Sequence, residues 1–380
     1  MIRLLLAASV SLLVNTYAFA AACPASSSTT TAGNGTCDVI GSQSTIRLNF
    51  NSGFDSSTVI SAIDGNNGTT VGAQRKLSFI KAAEVIADQV ASSQTIIVDA
   101  DVASLSCNAS SATLGSAGAS ANLAYGSPAP SGLLDNTFYP IGLMNAILSA
   151  DADNTKSDVT AQFNSDIGTT GCLQSSNGWY YGFGTPAANF IGFTTVLLHE
   201  ITHGLGFASL TDASTGAKAS SIDDIFSNFL YSLADSADWS VAGGLTDGER
   251  AASAVSVTGL LWTGSNTNTQ AQGLLTDGFN DIDSDGTFET GDRVEMYAPN
   301  PVEGGSSVSH FTTAAAPNEL MEPQYTEGQY TLGLASYLLK DIGWTVVAPP
   351  SNNAPVLTAT NQSTNEDTAL TIDISSGGLT

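Results

Sequence analysis

The stretch TVLLHEITHGLGFASL, Thr195–Leu210, holds three residues able to serve one metal ion. Residues four apart on a helix stand one above the other, so His199 and His203 can aim ring nitrogens at a common point. Glu200 lies beside them, placed to reach a water on that ion rather than the ion itself. This is the HExxH arrangement, in which two histidines bind zinc and the glutamate serves as general base. Five residues can match by chance, and paired histidines can simply be polar members of a core. The apolar run Val196-Leu197-Leu198 before the pattern and the glycine directly after it favour the metal reading.

Two ligands do not complete a zinc site. The pattern continues as HExxHxxG, with Gly206 where the chain can turn sharply out of the helix, as in the metzincin pattern. That pattern usually has a third histidine three residues after the glycine; here the position is Ser209, and a serine hydroxyl is a poor zinc ligand. The chain has 3 histidines, which leaves His310, in GSSVSHFTTAAAPNELMEP. Zinc also accepts carboxylate, so Asp212, Asp223 and Asp224 stay open as alternatives. His310 is preferred because imidazole is the commoner third ligand of this class.

A third ligand about a hundred residues downstream, followed by a short ELM segment, resembles the leishmanolysin-like peptidases. The matching residues are His199, Glu200, His203, Gly206, His310 and Glu319-Leu320-Met321, and the likeness covers roughly residues 45–347. It extends to GWYYGF before the ligand helix and LLKDIGW at the end, while the region between Gly206 and His310 does not align residue by residue. The resemblance implies an α+β, metzincin-like zincin. A twisted mixed sheet with two long helices would precede an irregular C-terminal subdomain, with the cleft between them. It also implies a Zn2+-dependent endopeptidase in which Met321 forms a methionine turn under the metal. On physical grounds alone Met321 is a core methionine, which differs little. Tyr325, four residues on, is a weaker candidate for assisting the reaction, against a reading as a half-buried loop tyrosine.

A second metal reading rests on DIDSDGTFETGD. Asp281, Asp283 and Asp285 occupy positions 1, 3 and 5 of a calcium-loop template, with glycine at 6, Thr287 at 7 and Asp292 at 12. Flanking helices are not evident, so this would be an EF-hand-like loop holding Ca2+ for structural reasons. The alternative is a solvated acidic turn.

Several elements must position these residues. STIRLNFN (44–51), QTIIVDADV (94–102) and SDVTAQFNSDI (157–167) read as strands, and AQRKLSFIKAAEVIADQV (73–90) as an amphipathic helix. Residues 104–131 read as short strands and loop. TFYPIGLMNAIL (137–148) reads as a helix with Pro140 in its first turn, and the motif helix as starting at an Asn189 cap and running to His203. IDDIFSNFLYSL (222–233), DGERAASAV (247–255) and TLGLASYLLKDIGW (331–344) also read as helices, the last capped by Thr331 and stopped by Gly343.

The chain's 380 residues carry 10 Lys+Arg against 35 Asp+Glu, a net charge of −25. Such a surface repels phosphate backbones and anionic lipid, which argues against nucleic-acid or membrane-surface partners; protein or peptide substrates are what the resemblance implies. Arg3, the apolar run Leu4–Val14 and Ala18-Phe19-Ala20 read as an export signal over residues 1–20; the run is too short for a membrane span. A lipoprotein signal at Cys23 would want Leu where Ala20 stands. Residues 21–45 read as a flexible leader and 46–347 as the peptidase domain, its N-terminal subdomain ending near 206. Four cysteines in an exported protein point to two disulfides; sequence proximity favours Cys23–Cys37 and Cys107–Cys172 among the three pairings. Residues 348–380 read as a linker and the start of a β-sandwich repeat. That tail resembles bacterial cadherin-like or Ig-like repeats, which implies a competing function: a surface adhesion or binding protein with a non-catalytic metal site. The intact Glu200 argues for the enzyme.

Overall fold

In the computed structural model the described residues are 22–23 and 35–347. The export-signal reading and the repeat reading of 348–380 fall outside them. The N-terminal half is built on a five-stranded mixed sheet of β1 (Gly35–Ile40), β2 (Thr45–Phe50), β3 (Ile96–Ala103), β4 (Gly115–Ala119) and β5 (Val159–Asn164). Its order is β1-β2-β3-β5-β4; β2, β3 and β5 run parallel, while β1 and β4 pair antiparallel at the two edges. Strict alternation sets which face is buried: Ile46, Leu48 and Phe50 in β2, Ile96, Val98, Ala100 and Val102 in β3, and Val159, Ala161 and Phe163 in β5 all point into the core.

Two helices cover that face. The first, α1 (Val71–Gln89), starts where the Thr70 hydroxyl accepts the Ala73 N–H, and it buries Leu77, Ile80, Ala83, Ile86 and Ala87. A shorter helix, α2 (Ile141–Leu148), follows. The third, α3 (Phe193–Gly204), carries the HExxH residues. A chain of edge-to-face rings ties these layers together: Phe50 to Phe79, Phe79 to Phe163, and Phe163 to Phe193, at centroid spacings of 5.8, 5.7 and 5.4 Å. Gly204 lets α3 lie directly on β5, since a Cβ there would sit 2.2 Å from Val159 Cγ1. The mixed α+β architecture expected from the chain is thus present.

The C-terminal half is more irregular. Its helices are short: α4 (Asp247–Ser253), with a Thr246–Glu249 capping box, α5 (Ser265–Ala271) and α6 (Ala335–Asp341). Short strands run before and between them, with Leu230–Ser232 pairing antiparallel to Leu260–Trp262. Cys23–Cys37 and Cys107–Cys172 are both bonded, the pairing favoured by proximity.

Five expectations need correction. Residues 222–233 are not a helix but the short strand Asp223–Asp224, paired with Thr137–Phe138, then a 3-10 turn and the strand Leu230–Ser232. There the Asp224 carboxylate takes the Ser227 N–H and turns the chain, and burial of Ile225, Phe226 and Leu230 overrides their helix-like spacing. Thr137–Pro140 is a strand and Pro140 precedes α2 rather than entering its first turn. Asn189 lies before α3 in the left-handed region (φ 67°), and the cap is Gly192. Within the expected leader, Gly35–Ile40 pairs with β2, and α6 begins after Leu334 rather than at Thr331.

Candidate metal centre and cleft

α3 presents His199 and His203 one turn apart, and the loop 304–310 brings His310 to meet them. The three Nε2 atoms form a triangle with sides of 3.1, 3.2 and 3.2 Å. Ligands 2.0–2.1 Å from one tetrahedral ion stand about 3.3 Å apart, so the triangle matches three corners of such a site. Each ring is oriented from behind by a backbone carbonyl: His199 Nδ1 by Leu320 O at 2.8 Å, His203 Nδ1 by Phe207 O and His310 Nδ1 by Ser306 O, both at 2.7 Å. A carbonyl only accepts, so each Nδ1 carries the proton and each Nε2 turns a lone pair to the shared point. Three converging lone pairs repel one another unless a cation lies between them. This group can hold a metal ion.

Burial supports the same state. It lowers the pKa of all three histidines, His203 to about 3, where the charge of His199 adds to the effect. The rings are therefore neutral near pH 7, the form a metal requires.

The loop carrying His310 is held from both sides. Tyr297 N–H bonds His310 O at 2.9 Å, and Val308, two residues earlier, is β-branched yet sits at φ 73°, a conformation costing on the order of 1–3 kcal/mol. The turn at 319–322 joins two ligands: Leu320 O holds His199, while Met321 O accepts the N–H of Phe311, next to His310. Met321 itself is fully buried. Gly206 turns the chain out of α3 at φ 115°; a Cβ there would lie 2.8 Å from Pro140 Cγ.

Glu200 is 8% exposed, and its carboxylate accepts the Ala117 backbone N–H from edge strand β4. Burial pushes its pKa up to about 8. Gly115 makes this approach possible, since a Cβ there would be 2.8 Å from Glu200 Cγ. Sequence reading missed both partners, and nothing in ATLGSAG marks them. All four residues of the centre open onto a cleft of about 840 Å³ between β4 and the segment 319–329. Tyr325 lines it, with its hydroxyl oxygen accepting the Gly192 N–H at 2.8 Å. Thr195 lies one turn before His199 on the same face of α3 and also lines the cleft, a position the i, i+4 spacing already marks.

The alternative carboxylate ligands are engaged elsewhere. Asp212 caps a turn through the N–H groups of Ser214 and Thr215, Asp223 accepts from Val241, and Asp224 accepts from Leu210 and Ser227.

The acidic loop forms its own group. Asp281, Asp283 and Asp285 each place a carboxylate oxygen within 4.8 Å of the others, around Gly286 at φ 81°. Asp281 accepts the N–H groups of Ser284 and Gly286, and Thr287 donates its N–H to Asp285. Asp292 bonds instead to the N–H groups of Ile282 and Glu289 and is not part of the group. The charges of Asp283 and Asp285 raise the Glu289 pKa, a sign of the negative potential there.

Among the described residues no helix is long and apolar enough to cross a membrane. No family model, curated protein or solved structure matches the chain, so the functional reading rests on the geometry of the site.

Proposed function

We propose that the protein is a secreted zinc endopeptidase of the leishmanolysin-like kind. The observation that carries this reading is the triangle of three neutral imidazoles with a buried carboxylate, Glu200, on the same helix and facing the same cleft. Three histidine nitrogens with a fourth position open to a cleft fit zinc better than calcium or magnesium, which prefer oxygen. When bound there, zinc supplies Lewis acidity, lowering the pKa of a water to about 7 and polarising a carbonyl.

The chain's own groups do the rest. His199, His203 and His310 hold the ion, with their Nδ1 protons locked onto backbone carbonyls so that the rings do not rotate away. The Glu200 carboxylate takes the proton of the attacking water and passes it to the leaving amine. Burial raises its pKa, and the charge of a bound ion beside it would lower it again, so the group can both accept a proton and release it. The Ala117 N–H keeps that carboxylate turned towards the cleft. The outer edge of β4 has no partner strand among the described residues, and its residues Gly115–Ala117 line the cleft. An extended peptide can pair with such an edge, which favours a polypeptide substrate over a small molecule. Calcium in the 281–292 loop is a secondary part of this proposal, as a structural ion.

Two measurements on the purified protein test the reading. It should carry one zinc per chain, and Glu200→Gln should keep that zinc while losing hydrolysis of an unstructured protein such as casein by at least about 10²-fold. Full activity in Glu200→Gln, or no zinc in the wild type, would sink it. A metal-loaded protein that cleaves nothing would favour the adhesion reading.

A further inference from the structure

The three histidines are not mounted alike. His199 and His203 sit on α3, and their rings are oriented by carbonyls outside that helix, those of Leu320 and Phe207. His310 carries its own support. The carbonyl that orients it, Ser306 O, belongs to the same loop, so ring and orienting group move together. In that loop Gly304 and Gly305 form part of the cleft wall, and a Cβ on either would meet no atom within 4 Å. That side of the loop is unpacked.

One residue fastens the loop. Tyr297 donates its backbone N–H to His310 O at 2.9 Å, and its own carbonyl accepts the Val308 N–H at 2.7 Å. Its hydroxyl donates to the Glu303 carboxylate at 3.0 Å. Tyr297 is a fixed post, because Met296 and Ala298 on either side are buried and the Met296 N–H bonds Leu260 O. Glu303 gathers the other end of the loop: its carbonyl accepts the Ser306 and Ser307 N–H groups, and its N–H bonds Ser307 Oγ at 2.9 Å. Glu303 is exposed, so water can replace the tyrosine bond when the loop opens. Closure has a cost. Val308 is held at φ 73°, a strain that opening relieves, and the three lone pairs of the histidine triangle repel one another.

We propose that residues 303–310 are a latch on the metal centre, closed by the Tyr297–Glu303 bond, and that His310 swings out with this loop to admit and release the ion while His199 and His203 stay in place. Tyr297 is thus a positioning residue for the third ligand. This rests on the zinc centre of the functional reading, though not on peptide hydrolysis. Strain at Val308 and repulsion within the triangle favour the open loop. The Tyr297 clamp and the bond that His310 gains with a bound ion favour the closed one, so metal occupancy sets the balance.

The test follows zinc rather than turnover. Zinc-loaded protein is mixed with excess chromogenic chelator, and the release rate is compared between the wild type and its variants. Tyr297→Phe, which removes only the hydroxyl, should speed release at least about tenfold, with the melting temperature of the metal-free form unchanged because the open loop does not make that bond. Glu303→Ala should match it, and Glu303→Gln, which keeps an acceptor oxygen, should stay within about threefold of the wild type. The variant carrying both Tyr297→Phe and Glu303→Ala should release no faster than either alone, since both remove one bond. Hydrogen exchange at the Tyr297 and Val308 amides should be fast without metal and slow with zinc, while the α3 amides stay protected in both states. An unchanged release rate in Tyr297→Phe overturns the latch, as do multiplying effects in the double variant or exchange at Val308 that ignores zinc. If the latch behaves as expected and no peptide is cut, the latch stands and the peptidase reading falls; a wild type that binds no zinc sinks both.

Discussion

Ser209 donates its backbone N–H to the Ser309 hydroxyl at 3.1 Å, one residue before His310. The position where the short metzincin pattern would carry its third histidine thus holds the loop that delivers the third ligand from a hundred residues away. The Ser209 hydroxyl is itself fixed by Ser227 Oγ at 2.7 Å. Ser309→Ala should therefore loosen His310 without touching a ligand. We expect about 1 kcal/mol less stability and roughly tenfold weaker metal binding, read by competition with a chelator. Unchanged metal affinity would show that the loop is held by its other contacts alone.

Gly115 stands against the base rather than the metal. Gly115→Ala puts a methyl group 2.8 Å from Glu200 Cγ and must displace the carboxylate. Zinc content should be preserved while kcat falls about 10–100-fold, because a misplaced base transfers protons poorly. Activity lost only in proportion to lost zinc would contradict this.

The Cys107–Cys172 disulfide closes a loop with a separation of 65 residues and anchors the 110–114 wall of the cleft. Leu173 and Gln174 add backbone bonds to Asn108 and Ala109 beside it. The chain-entropy account puts the bond at about 4 kcal/mol for a loop of this length. Replacing both cysteines with serine should lower Tm markedly and raise KM more than it lowers kcat, since no metal ligand lies on that loop. An unchanged KM in the folded variant would count against a role in shaping the cleft.

Glu295 gives a pH signature. Burial first, then the charge of Asp277, raises its pKa to about 7. An unfolded glutamate titrates near 4.3, so between about pH 4.3 and 7 the folded state keeps a proton that the unfolded state has lost. Its contribution to stability therefore declines as pH rises through that window and stays lost above it. Glu295→Gln should gain on the wild type between pH 5 and pH 8, by about 1–2 kcal/mol after allowing for solvent screening. Melting curves at the two pH values decide it, and a difference that does not change with pH would refute the assignment.

Much of the site was legible from local rules. HExxH spacing places two ligands and a base on one helix face, whatever the rest of the chain does. With three histidines in the chain, elimination pointed to His310, and the structure brings that residue to the other two. Alternation likewise marked β2 and β5, because a half-buried strand must alternate, while β3 reads as a buried strand. Residues 222–233 misled because Ile225, Phe226, Phe229 and Leu230 suit a helix face as well as a buried strand–turn–strand; the Asp224 turn and pairing with Leu260–Trp262 decide between them.

By itself, then, the sequence determined the chemistry on offer: two imidazoles and a carboxylate at helical spacing, a distant third histidine and an acidic chain. Only the tertiary structure decided how that chemistry is held. The carbonyls of Leu320, Phe207 and Ser306 and the Ala117 N–H come from backbone, which leaves no mark in residue type, and the space at Gly115 comes from one glycine among 37.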